Sequence, residues 1–195
     1  MEHLKIVLVG DSGVGKTSIA NRISGNDINE EYKPTIGAAF SVLEREIDGN
    51  KYVFDLWDTA GQEVYRSLIN MYARGSKGAI IVCDITNEES FHGIDHWVKF
   101  LKDNADSIQI IIAANKCDLS DQAVVTNVQL QSKAEEYGTL YYLTSAVTGE
   151  YIDQLFDRLG EEIVHATSKI EKNFPKEVLL AEKSETTQNN KKCCK

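Results

Sequence analysis

Residues 10–17 read Gly-Asp-Ser-Gly-Val-Gly-Lys-Thr and directly follow the apolar run Ile6-Val7-Leu8-Val9. A buried strand thus feeds a glycine-rich turn, which opens a helix near Lys16. Backbone N–H groups and the positive end of the helix dipole then converge on one spot, a ready site for nucleotide phosphates. Glycine allows the backbone to close on a β-phosphate that a side chain would hold off. Lys16 is placed to supply a point charge to the β- and γ-phosphates, and the Thr17 hydroxyl is suited to ligate Mg²⁺. Asp11, Ser12, Gly13, Val14, Gly15 and Ser18 are the neighbouring candidate contacts. An ordinary glycine turn shares the pattern; the strand before it and the helix after it argue for the phosphate site.

Strand-like apolar runs alternate with amphipathic segments along the chain. Strands are predicted near 3–9, 38–47, 51–57, 78–84, 108–114 and 139–143, and helices near 16–25, 64–74, 88–103, 127–137 and 150–170. The runs 78–84 and 108–114 are apolar almost throughout, as strands covered on both faces are. Asp48-Gly49-Asn50 marks a tight hairpin, so one edge strand is expected to run antiparallel. The remainder calls for an α/β fold, a doubly wound, mostly parallel six-stranded sheet with helices on both faces. Ligands of such sheets sit at the carboxyl ends of the strands. A domain over 1–170 and a flexible tail over 171–195 are expected, the tail being polar apart from Val178-Leu179-Leu180-Ala181 and the final cysteines.

The net charge of −9 and the lack of a basic stripe argue against a nucleic-acid partner. Met1-Glu2-His3-Leu4 enters a strand at once, Glu2 excludes N-myristoylation, and the longest apolar runs are too short for a bilayer. Cys83 reads as a small core residue, and no disulfide framework or metal-ligand spacing is present. A cytosolic chain is expected.

Three further segments fall after predicted strands. In Trp57-Asp58-Thr59-Ala60-Gly61-Gln62-Glu63, Asp58 can hold Mg²⁺ through a water, Gly61 can offer its N–H to a γ-phosphate, and Gln62 can orient a water for in-line attack. A polar turn with an N-cap aspartate is the competing reading of this stretch. In Asn115-Lys116-Cys117-Asp118, the Asp118 carboxylate can accept two parallel hydrogen bonds from guanine N1–H and its 2-amino group. Adenine lacks that donor pair, a mismatch that discriminates by ~10⁴-fold or more in polar sites. Asn115 can tie the loops together, and the Lys116 stem can cover the base. In Thr144-Ser145-Ala146, the Ala146 N–H can reach guanine O6.

Together with Pro34-Thr35, these motifs resemble those of the Ras-like small GTPases over essentially residues 4–170. Within that superfamily the chain is similar to the Rab proteins of vesicle traffic, which end in a long tail with two prenylated cysteines. Thr35-Ile36-Gly37-Ala38-Ala39-Phe40 and Asp84-Ile85-Thr86-Asn87-Glu88-Glu89-Ser90-Phe91, followed by Trp97-Val98-Lys99, resemble the early-endosomal Rab group most. The resemblance implies that Thr35 coordinates Mg²⁺ and touches the γ-phosphate, that Tyr32 lies at the nucleotide, and that residues 28–40 and 58–74 are the two switches. It implies that Phe40, Trp57 and Tyr72 form an aromatic trio facing effectors. It also implies exchange factors, activating proteins, a GDP-dissociation inhibitor and a prenylation escort as partners of a monomeric chain.

Three positions depart from the pattern. Ile28 stands where most relatives carry a phenylalanine edge-on to guanine; an aromatic contact worth ~0.5–1.5 kcal/mol is lost, so nucleotide release is expected to be about tenfold faster. Val64 replaces a polar residue, which bears on regulator docking, and one lysine trails Cys193-Cys194. No arginine lies between Asn26 and Glu44, so intrinsic hydrolysis is expected to be on the order of 10⁻⁴ to 10⁻³ s⁻¹ until a partner supplies charge. Lipidation of Cys193 and Cys194 is expected to anchor the chain to endosomal or other vesicular membranes, since two prenyl groups hold where one does not. A flexible tail from 171 would let the domain stand ~25–30 Å off the bilayer. Two competitors remain: a phosphate-loop kinase or ATPase, which shares only the first motif, and a guanine-nucleotide-binding scaffold with fast exchange and negligible hydrolysis.

Overall fold

A computed structural model describes residues 1–26, 35, 37–60, 66–105 and 107–173. Six strands form one sheet: β1 (Glu2–Val9), β2 (Ala38–Ile47), β3 (Asn50–Thr59), β4 (Gly78–Asp84), β5 (Gln109–Asn115) and β6 (Leu140–Thr144). Their order across the sheet is β2-β3-β1-β4-β5-β6. Only the edge strand β2 runs antiparallel; β1 pairs β3 and β4 in parallel, and the ladder continues through β5 to β6. Five α-helices accompany it among the described residues: α1 (Lys16–Ile23), α2 (Arg66–Ala73), α3 (Glu88–Asn104), α4 (Asn127–Tyr137) and α5 (Ile152–Asn173). The fold is the expected doubly wound α/β sheet.

Local chemistry accounts for the elements. Ile47 faces Asn50 across the β2–β3 turn, and Asp48 (φ 50°) with Gly49 (φ 74°) makes the two-residue left-handed turn that matches strand twist. Of the expected turn Asp48-Gly49-Asn50, the first two residues make the bend and Asn50 already belongs to the ladder. Asn87 caps α3 by accepting from Glu89 N and Ser90 N, and Thr126 with Gln129 forms a reciprocal capping box on α4. Period-two alternation splits β1: Val7 and Val9 pack with Ile69, Ala73, Ile94, Val98 and Leu130, while Leu4, Ile6 and Leu8 point to the other face. On that second face α5 comes so close that a Cβ on Gly78 of β4 would sit 2.7 Å from Ile163 Cδ1.

Several boundaries differ from the sequence expectation. β3 reaches Thr59, β5 reaches Asn115 and β6 reaches Thr144, because Asp58, Asn115 and Thr144 pair with Leu8, Asp84 and Asn115 across the ladders. α1 stops at Ile23 rather than 25, where Gly25 N–H turns back to Arg22 O and Asn26 N–H to Asn21 O. A 3-10 turn over Cys117–Gln122 has no counterpart among the expected elements. Contacts divide the chain into Met1–Ile163 and Val164–Lys195. Within the second unit, Ser168 Oγ donates to Val164 O and His165 O. No helix among the described residues is long and apolar enough to cross a membrane.

Candidate functional site

β1 lies where the sheet order reverses, with the next strands falling on opposite sides of it, and such a switch point opens a crevice at the strands' carboxyl ends. The turn after β1 is packed into that crevice. A Cβ on Gly10 would run into Val82 O of β4, and one on Gly15 into Asn115 Nδ2 of β5. Lys16, 5% exposed, donates from Nζ to Gly10 O at 2.9 Å and to Asp11 O at 2.6 Å. Its burial lowers the ammonium pKa to about 8, against the pull of Asp58 and Asp11. Ser12 and Gly13 are exposed on the outer bend, and Ser18 is half-buried on α1.

Three oxygens meet beside Lys16. Thr17 Oγ1 is 2.7 Å from Thr35 Oγ1 and donates to Asp58 Oδ2 at 2.7 Å. The other Asp58 oxygen, Oδ1, is buried without a hydrogen-bond partner. Burial raises the Asp58 carboxyl pKa, with the Thr17 bond and Lys16 opposing. A buried carboxylate oxygen without a donor is costly, and a hard divalent cation relieves it. Two hydroxyls and an unsatisfied carboxylate are the donor set that fits Mg²⁺.

The third cluster is tied to the first. Asn115, 1% exposed, donates from Nδ2 to Val14 O at 2.9 Å, and its Oδ1 accepts from Ala146 N at 3.2 Å and Thr144 Oγ1 at 3.4 Å. Ser145 Oγ donates to Asp118 Oδ1 at 2.6 Å, holding one edge of an otherwise exposed carboxylate. Lys116 takes a left-handed backbone (φ 67°), and its Nζ pairs with Asp84 Oδ2 at 2.5 Å. Arg22 of α1 donates to the carbonyls of Ala146 and Val147 from behind. Asp84 and Arg22 carried no assignment in the sequence reading; each acts through a partner far away in the chain, which no local pattern reveals.

The aromatic trio also assembles. Phe40 and Trp57 are directly paired across β2 and β3 with centroids 4.9 Å apart, and Tyr72 of α2 stacks on Trp57 at 4.8 Å. Lys5 Nζ lies 5.7 Å from the Trp57 centroid and donates to Arg74 O at 2.8 Å, pinning the end of α2 to β1. Ile28, Tyr32, Gly61, Gln62, Val64, Cys193 and Cys194 lie outside the described residues.

The model of the Ras family matches residues 5–165. The chain is a Rab-type member of the Ras family. It is 38% identical over 165 residues to Ras-related protein Rab-13 of Mesocricetus auratus, covering 84% of this chain and 81% of that one. It is 41% identical over 166 residues to Ras-related protein Rab2BV of Beta vulgaris, covering 85% and 78%. With Ras-related protein RABA2b of Arabidopsis thaliana the identity is 37% over 198 residues, covering 97% and 92%. This Rab-type chain is accordingly a small GTPase, a guanine-nucleotide switch of membrane traffic.

Proposed function

We propose that this Rab-type chain binds GTP and GDP with Mg²⁺, hydrolyses GTP slowly, and recruits effectors in its GTP state at early-endosomal membranes. The observation that carries the reading is the convergence of Thr17, Thr35 and Asp58 oxygens beside Lys16, with Asn115 joining the phosphate loop to the Asp118 and Ala146 loops. Lys16 would exchange its two loop carbonyls for phosphate oxygens. Thr17 and Thr35 would hold Mg²⁺ through their hydroxyls and Asp58 through a water; the ion would supply charge neutralisation at the phosphates. Asp118 would read the guanine edge, with Ser145 fixing its angle, and Ala146 N–H would turn from Asn115 to guanine O6. Gln62 would orient the attacking water and Gly61 would sense the γ-phosphate. Loss of that phosphate frees Thr35 and Gly61, and both switches relax.

Phe40, Trp57 and Tyr72 would be the effector contacts, since Phe40 is 53% exposed and Met71 beside Tyr72 is 58% exposed. An exchange factor, an activating protein, a dissociation inhibitor and an escort would service a monomeric domain over 1–170. The tail over 171–195 would reach the cytosolic face of the membrane through prenylated Cys193 and Cys194. Ile28 favours a second reading, a fast-exchanging guanine-nucleotide scaffold with negligible hydrolysis.

Release of fluorescent GDP from the Mg²⁺-loaded chain, chased by GTP, GDP or ATP, separates these readings. Release over many minutes, competed by guanine nucleotides alone, is the expected result of a conventional switch. Release within seconds with no measurable turnover favours the scaffold, and displacement by ATP sinks both. Single-turnover hydrolysis of GTP is expected to slow in Gln62→Leu; an unchanged rate removes Gln62 from its role.

A further inference from the structure

A phosphate loop is a site for anions, yet this one carries a carboxylate of its own. Asp11 gives its main-chain carbonyl to Lys16 while its side chain points away into α3. There Trp97 Nε1 donates to Asp11 Oδ1 at 2.8 Å. The carboxylate also lies against Gly93, one helical turn before Trp97, where an added Cβ would come within 2.6 Å of Oδ2 and 3.1 Å of Oδ1. Residues four apart share one helix face, so the notch and the indole N–H form a single receptor on α3. Trp97 is 7% exposed and packed with Phe91, Ile94 and Val98, and the edge contacts of His96 and Phe100 at 5.3 Å and 5.8 Å fix its ring plane.

We propose that Trp97 is a positioning residue which, with the Gly93 notch, parks the Asp11 carboxylate away from the nucleotide phosphates and so makes α3 a control on nucleotide release. A buried indole needs only some acceptor for its N–H. An ionised acceptor gives a stronger bond and removes a like charge from the phosphates in the same stroke. Withdrawal of either α3 contact lets the carboxylate swing back, and repulsion of the phosphates loosens the nucleotide. The proposal rests on the phosphate-loop reading above.

A double-mutant cycle on the full chain loaded with GDP and Mg²⁺ tests it. Trp97→Phe and Gly93→Ala are each expected to speed GDP release about tenfold at low salt, less at high salt because repulsion is screened. Combined with Asp11→Ala, neither is expected to change the rate more than about twofold from that of Asp11→Ala alone. The β-phosphate resonance in ³¹P NMR is expected to move in the two α3 variants and to be indifferent to them once Asp11 is alanine. Gly93→Ala guards against misfolding, since alanine favours a helix interior over glycine. Equal acceleration with and without the Asp11 carboxylate, or wild-type rates in both α3 variants, overturns the proposal. A wild-type chain that fails to bind GDP overturns the nucleotide reading itself, a distinct result.

Discussion

Asp84 is the last residue of β4, and its carboxylate is committed on both sides. Oδ1 accepts from Thr86 N at 2.8 Å and Thr86 Oγ1 at 2.7 Å, while Oδ2 pairs with Lys116. Burial alone would raise its pKa, but the Lys116 and Thr86 bonds win and hold the carboxyl below the usual range. A carboxylate depressed in the folded state stabilises it in full above the unfolded pKa, and that contribution vanishes as pH falls through the folded value. Asp84→Asn is therefore expected to melt about 2–4 °C below the wild type at pH 7, taking about 1 kcal/mol for a chain of this size. Thermal melts of the GDP-bound pair across pH should show that gap closing below about pH 4; a gap that ignores pH refutes the assignment. The same residue shows where sequence reading stops. Asn115, Lys116 and Asp118 are legible because their side-chain types and spacing are contiguous. What orients Lys116, Asp11 and Ala146 is not, since Asp84, Trp97 and Arg22 reach them across 32, 86 and 124 positions respectively.

The strands and helices were readable wherever one segment carries its own cause. Asp48-Gly49 specifies the β2–β3 turn, and the two helices placed near 88–103 and 127–137 by their amphipathic pattern start at caps, Asn87 and Thr126, that the structure adds. The ends of β3, β5 and β6 lie one or two residues beyond the expected ones because the last pair of a ladder depends on a partner elsewhere. The helix over 150–170 gave no sign of a packing device at Gly160. A Cβ there would stand 2.5 Å from Ile47 Cδ1 and 2.6 Å from Phe54 Cζ, so α5 lies almost directly on the β2–β3 hairpin. Gly160→Ala gains about 1 kcal/mol of helix propensity but forces a well-packed core apart at about 1–3 kcal/mol. The net expectation is a stability lower by about 1 kcal/mol, read as a lower denaturation midpoint. An unchanged or raised midpoint in urea would mean that the hairpin yields without strain.

Across the whole sheet, three loops from β1, β5 and β6 are joined by one side chain, Asn115, and β3 delivers Asp58 beside them. Nucleotide with Mg²⁺ would bridge the same loops, so its binding free energy adds to folding stability. At a thousand times Kd that addition is about 4 kcal/mol, or about 8–16 °C in melting temperature for a chain of this size. Chelation of Mg²⁺ and removal of nucleotide should lower the melting temperature by that order, and readdition of GDP and Mg²⁺ should restore it. A melting temperature indifferent to both would contradict the site.

The β1–β4–β5–β6 ladder also has a temporal meaning. Its parallel pairings join segments distant in the chain, and the loop at Ser145 and Ala146 hangs from the last strand to be made. A chain emerging from the ribosome from its first residue onward carries its phosphate loop early but lacks the wall against which a guanine would rest until β6 has left the exit tunnel. On the proposed nucleotide reading, growing chains stalled before that point would have half a cradle, so stable capture of the nucleotide would wait until β6 and the loop after it have emerged.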